Sequence, residues 1–207
     1  MSVPAVSGPV PQSPGARQKT ITELLTQWAD LTNDAIAATG VTEGWYRGAI
    51  QDKKPWDPAA EEVSLPPCST VGSTEANQVK ASVTHDPFAD DPHPIADKLT
   101  AHWESQGFTV TRTVDWTSPS GRINVVVGAD RSDGVYYVLT ATNEIVAIDV
   151  VTECSADPSI QSWAAEKSLR IGRERREERR KAATSSPSAE PEAPAAHDGV
   201  DDDGWAW

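Results

Sequence analysis

The chain has 207 residues, among them sixteen Pro, thirteen Gly, two Cys and one Met, and a formal net charge of −13. That length holds one domain of ordinary size plus tails, and the Pro and Gly content places much of the remainder outside any core. The acidity is concentrated in residues 20–157, with twenty-one Asp/Glu against eight Lys/Arg. This argues against a nucleic-acid or anionic-membrane footprint, because phosphate binding needs a positive field.

Residues 1–18 are rich in Pro, Ser, Gly and Val and read as a flexible arm. Met1 to Pro11 shows neither a basic n-region nor a long apolar h-region, so as it stands it does not read as a signal peptide. No window reaches eighteen apolar residues, and no transmembrane helix is expected. Thr20-Ile-Thr-Glu23 has the capping-box pattern. Ile21, Leu24, Leu25, Trp28, Leu31 and Ala35 follow at helical spacing, and Gly40 supplies the stop. An apolar stripe of this kind predicts a core-facing helix.

From Val41 to Ser69 the pattern is irregular, and Trp45 and Trp56 are expected to cover the sheet edge or the helix. Pro66-Pro67 fixes an extended approach to Cys68. A polar loop is expected from Ser69 to Asn77, and the alternation over 78–84 predicts a half-buried strand.

His85-Asp-Pro-Phe-Ala-Asp-Asp-Pro-His93 is the densest run of ligand-type side chains. His85, Asp86, Asp90, Asp91 and His93 are the residues that would bind a divalent metal here. The spacing matches no recognised ligand pattern, and the favoured alternative has Asp91 capping the next helix with Pro94 in its first turn. No metal site is therefore assigned. That second helix is predicted over 94–106, with Ile95, Leu99, His102 and Trp103 on one face and Gly107 in the left-handed closing position.

Four β-rich runs follow at 108–114, 122–127, 135–140 and 144–151. Their turns are Ser118-Pro-Ser-Gly121, Arg131-Ser-Asp-Gly134 and Thr142-Asn143, whose residues suit tight hairpins. Cys68 and Cys154 each stand where an extended segment ends. Two readings stay open: a bond across the sheet rim, which implies an oxidising compartment, or two reduced thiols.

After Cys154 a third helix is predicted from about Asp157, continuing into the charged run 173–181. Residues 158–181 hold eight bases and four acids, so ion pairs at helical spacing support a solvated helix rather than a nucleic-acid patch. Residues 182–200 are rich in Ala, Pro, Ser and Glu and read as disordered. The chain then ends in Asp201, Asp202, Asp203, Gly204, Trp205, Ala206 and Trp207. In chemistry only, this end resembles the acidic-aromatic tips by which bacterial single-stranded-DNA-binding proteins recruit partners. Asp201, Asp202, Asp203, Trp205 and Trp207 are therefore the partner-docking candidates.

The predicted fold class is α+β: a mostly antiparallel sheet of about five strands with two helices packed on one face, plus a C-terminal charged helix. The expected division is an arm over 1–19, the α+β domain over 20–156, the charged helix over 157–181 and the acidic tail over 182–207.

The layout resembles small secreted or lipid-anchored proteins of high-GC Gram-positive bacteria. It runs through an amphipathic helix, a segment ending Pro67-Cys68, the junction Trp103-Glu-Ser-Gln-Gly107-Phe108-Thr-Val-Thr-Arg112, and a last strand closing Val151-Thr-Glu-Cys154. The resemblance covers about residues 20–156 and implies the architecture and a Cys68–Cys154 pairing, but no activity. No GxSxG, P-loop, GxGxxG, HExxH or CxxC pattern occurs, so a non-enzyme without cofactor is expected. The leading expectation is an extracytoplasmic, disulfide-braced interaction or ligand-binding module. The alternatives are a phage- or virus-encoded structural or accessory protein docking onto a larger assembly, and a metal-dependent enzyme.

Overall fold

Thr20 starts the first helix, α1 (Ile21–Thr39), through the capping box its sequence predicts. The Glu23 N–H donates to Thr20 Oγ1 at 3.3 Å, and the Thr20 N–H donates to the Glu23 carboxylate at 2.9 Å. Two of the donors that a helix start leaves unsatisfied are thereby used. Gly40 ends the helix in the left-handed conformation, as predicted. The computed structural model describes residues 18–71, 74–86 and 91–185. The chain divides into two compact units, Met1–Ala165 and Glu166–Trp207.

The first unit is α+β. Its main sheet has seven antiparallel strands in the order β2-β1-β5-β9-β8-β7-β6. These are β1 (Tyr46–Arg47), β2 (Lys54–Pro55), β5 (Lys80–His85), β6 (Thr109–Thr117), β7 (Ile123–Asp130), β8 (Tyr136–Thr142) and β9 (Val146–Val151). A separate two-stranded sheet joins β3 (Pro67–Val71) to β4 (Thr74–Asn77). The expected count of about five strands is thus corrected. Strands of two residues carry no alternation to read, and a hairpin replaces the polar loop expected over 69–77 because backbone pairing there leaves no apolar signature.

Alternation along the long strands decides what is buried. Val125, Val127 and Ala129 of β7, Tyr137, Leu139 and Ala141 of β8, and Val146, Ile148 and Val150 of β9 are all fully buried. Pairing aligns them in rows across the sheet: Ala129 opposite Tyr137, Tyr137 opposite Val150, Leu139 opposite Ile148. Burying each large side chain contributes about 1.5–3 kcal/mol. The second helix, α2 (His93–Ser105), lays Ile95, Leu99 and Trp103 into this core. Tyr137 ties both helices to the sheet. Its ring stacks on Trp103 at 4.8 Å, and its hydroxyl donates to the Leu31 carbonyl of α1 at 3.2 Å.

The start of α2 differs from expectation. Pro92 occupies the cap position and makes no side-chain cap bond. Asp91 instead accepts the His93 backbone N–H at 3.0 Å, a local turn one residue earlier than a helix cap. The third helix, α3 (Pro158–Ser185), contributes Ile160 to the core, and Trp163 packs against it. Core contact from this helix goes beyond the two-helix layer read from the sequence. In the second unit the described residues, 166–185, are the remainder of α3, and Leu169 there is 64% exposed. No helix among the described residues is long and apolar enough to cross a membrane.

Candidate functional site

Two places in the first unit gather chemistry: a junction around the cysteines and a polar groove at the outer edge of β5. At the junction Cys68, on β3, forms a disulfide with Cys154, three residues beyond β9, the Cα atoms lying 6.1 Å apart. The bond closes a sequence separation of 86 residues. Backbone pairing runs beside it: the Asn77 N–H donates to Ser155 O at 2.9 Å, and the Ser155 N–H donates back to Asn77 O at 2.8 Å. The Gln161 amide of α3 adds a bond to Asn77 Oδ1 at 3.0 Å. Ser155 Oγ donates to the Lys19 carbonyl at 2.6 Å, and Lys19 Nζ pairs with Glu153 at 2.5 Å. The disulfide therefore sits in a knot that fastens the β3–β4 hairpin, the end of β9 and the entry to α1.

The groove lies on the opposite side of β5 from β9. It has a volume of about 450 Å³, and Arg47, Lys54, Glu62, Ser64, Lys80 and Ser82 are among the residues lining it. Local sequence shapes it. Gly48 has φ +87°, and a Cβ there would lie 2.5 Å from the Asp52 carbonyl oxygen, so the tight return from β1 to β2 requires glycine. Arg47 is only 7% exposed. Its Nη2 reaches Glu62 Oε2 at 2.7 Å, while Lys54 Nζ meets Glu62 Oε1 at 3.3 Å. The hydrogen bond from Arg47, followed by its charge and that of Lys54, holds the Glu62 carboxyl below the usual range. Arg47 Nε and Nη1 are buried and have no hydrogen-bond partner among the described residues.

Next to this groove the Lys53 ammonium lies 4.7 Å over the Tyr46 ring and bonds both Asp86 oxygens, at 2.8 and 2.9 Å. Burial, reinforced by Asp86, raises the Tyr46 hydroxyl to about 12. That hydroxyl stays protonated at any physiological pH.

The tertiary structure separates the ligand-type residues of the 85–93 segment. His85 ends β5 with its ring edge-to-face against Trp45 at 5.4 Å, and Asp86 belongs to the Lys53 pair. Asp91 and His93 lie at the start of α2. His93 Nδ1 contacts Asp91 at 2.6 Å and Nε2 contacts Asp115 of β6 at 3.0 Å. These carboxylates occupy opposite ring nitrogens, so they cannot converge on one ion with the imidazole between them. Among the described residues no three His, Cys, Asp or Glu side chains form a metal-binding group. Asp90 and the docking candidates Asp201, Asp202, Asp203, Trp205 and Trp207 lie outside the described residues.

Hydrogen bonds donated to Asp115 and then to Asp91 raise the His93 pKa. Asp115 also takes Arg112 Nη1 at 3.0 Å, and Arg112 Nη2 reaches Asp97 of α2 at 2.5 Å. This network staples the first turns of α2 to β6. The Arg47 groove was missed in the sequence because its residues come from β1, β2, β5 and the segment around Glu62, and only pairing unites them. No protein-family model, curated protein or solved structure matches this chain.

Proposed function

We propose that this protein is a non-enzymatic interaction or ligand-binding module that works outside the cytoplasm, braced by the Cys68–Cys154 bond. The single observation that carries the reading is that bond. Structural disulfides persist in oxidising compartments, and this one ties the β3–β4 hairpin to the segment that follows β9. The polar groove at the β5 edge is the surface this reading assigns to a ligand. The acidic-aromatic end, Asp201 to Trp207, is the segment it assigns to partner contact, on its chemistry.

The test is intact-mass spectrometry on protein isolated from its native host, with alkylation before and after reduction. The expected result is a mass lower by two hydrogens and no alkylation until reductant is added. Two thiols that alkylate at once would overturn the extracytoplasmic reading.

A further inference from the structure

The Arg47 guanidinium is buried but short of acceptors. Nη2 holds Glu62, while Nε and Nη1 are closed off from solvent without a partner among the described residues. Buried polar groups are nearly always hydrogen-bonded, and an unused buried donor costs the full penalty of its desolvation. Its carboxylate partner is poorly anchored by comparison: the Glu62 side chain is 59% exposed, on the irregular segment between β2 and β3.

The groove gathers basic side chains in an acidic protein. Arg47, Lys54 and Lys80 line it against Asp52 and Glu62. Backbone donors point the same way. Lys80 exchanges both backbone bonds with Ser64 at the outer edge of β5, and Thr84 pairs with Tyr46 further along that edge. The two-residue alternation of an antiparallel strand therefore turns the Ser82 N–H and C=O outward, into the gap between these pairings. The Ser82 hydroxyl is already taken by Asp149.

We propose that this groove binds a small carboxylate-bearing ligand, which displaces Glu62 from Arg47. The planar guanidinium takes a carboxylate through two parallel N–H bonds, and the Ser82 N–H supplies a third donor. Lys54 retains Glu62 when Arg47 releases it. The group Arg47 already holds is a carboxylate, and the lining residues carry no more than a single positive charge in excess, since Lys80 also pairs with Asp149 at 3.7 Å. Both features favour a carboxylate over a more highly charged anion. The groove's volume falls in the range of small-molecule sites.

The assignment deepens the binding-module reading and rests on it. The experiment is a titration of the full-length ¹⁵N-labelled chain with acetate and with succinate at low ionic strength, with chloride as the control. The amide of Ser82 and the Nε–H of Arg47 are the resonances followed. Saturable shifts at both are expected, with Kd of about 1 mM, the range of a single charged anchor. Glu62→Gln removes the competing internal carboxylate and tightens binding at least about threefold, because that competitor acts at high effective concentration. Arg47→Lys keeps the charge, loses the fork and weakens binding about tenfold. If Arg47→Lys fails to fold, the Glu62→Gln comparison decides alone. Shifts that do not saturate, that chloride reproduces, or that Glu62→Gln leaves unchanged would overturn the assignment. Failure here with bonded thiols removes only the ligand class, whereas free thiols remove the compartment and leave the titration result standing.

Discussion

Arg112 and Asp115 stand three residues apart on β6, yet both reach α2, and they bond each other at 3.0 Å. Residues three apart on a regular strand face opposite ways. Here the register shifts between Arg112 and Val114, so Arg112 pairs with Val127 and Asp115 with Val125, both on the buried face. This β-bulge re-aims Asp115 at His93 and turns Val114 and Trp116 to the other face. Trp116 is left 49% exposed as a result.

Asp115→Asn removes the anion that faces both His93 and Arg112. The His93 pKa should fall toward its ordinary value, and the midpoint of thermal unfolding should drop by a small amount. An NMR titration of the His93 ring protons in both proteins measures this. An unchanged His93 midpoint would show that Asp91 alone sets it.

Stability should depend on pH through the same staple. The folded His93 pKa lies above its unfolded value of about 6.5, so its stabilisation is full below that pH and lost as pH rises through the folded value. Asp91 and Asp115 have lowered values, so their contribution is present above about pH 4 and lost as pH falls through their folded values. The network is therefore strongest between about pH 4 and 6.5. Unfolding midpoints measured from pH 5 to alkaline conditions should decline more steeply in the wild type than in His93→Gln. Parallel curves would count against it.

Reduction should cost more than any surface change. On the loop-entropy model, a bond spanning 86 residues removes about 4–5 kcal/mol of unfolded-chain entropy. For a chain of this size that corresponds to a fall of roughly 10–15 °C in Tm. Calorimetry of the wild type with and without reductant, beside Cys68→Ser/Cys154→Ser, checks it. The double variant should match the reduced protein and ignore the reductant.

Two further substitutions separate local from tertiary contributions. Thr20→Ala breaks the capping box and should cost about 1 kcal/mol. Trp103→Ala opens a cavity beside Tyr137 and should cost about 3–5 kcal/mol. Chemical denaturation with an unchanged m-value reads both.

Much of this fold is written in local pattern. The capping box at Thr20, the stripe from Ile21 to Ala35, the turns closed by Gly121 and Gly134, and the four β-rich runs depend on neighbours within a few residues. Periodicity of 3.6 or 2 reports them directly. Two strands run longer than read, β6 reaching Thr117 and β7 reaching Asp130, because pairing extends past the apolar runs that announce them, while β9 starts at Val146, two residues later than read. What the sequence by itself determined is the class, the two core helices and the meander ending at Cys154. Only the tertiary structure decided which edges close the sheet, that Asp115 rather than Val114 faces α2, and that Arg47, Lys54, Glu62 and Ser82 share one groove. Those are outcomes of backbone pairing between distant segments, where hydrogen-bond register and not side-chain hydrophobicity selects the partner.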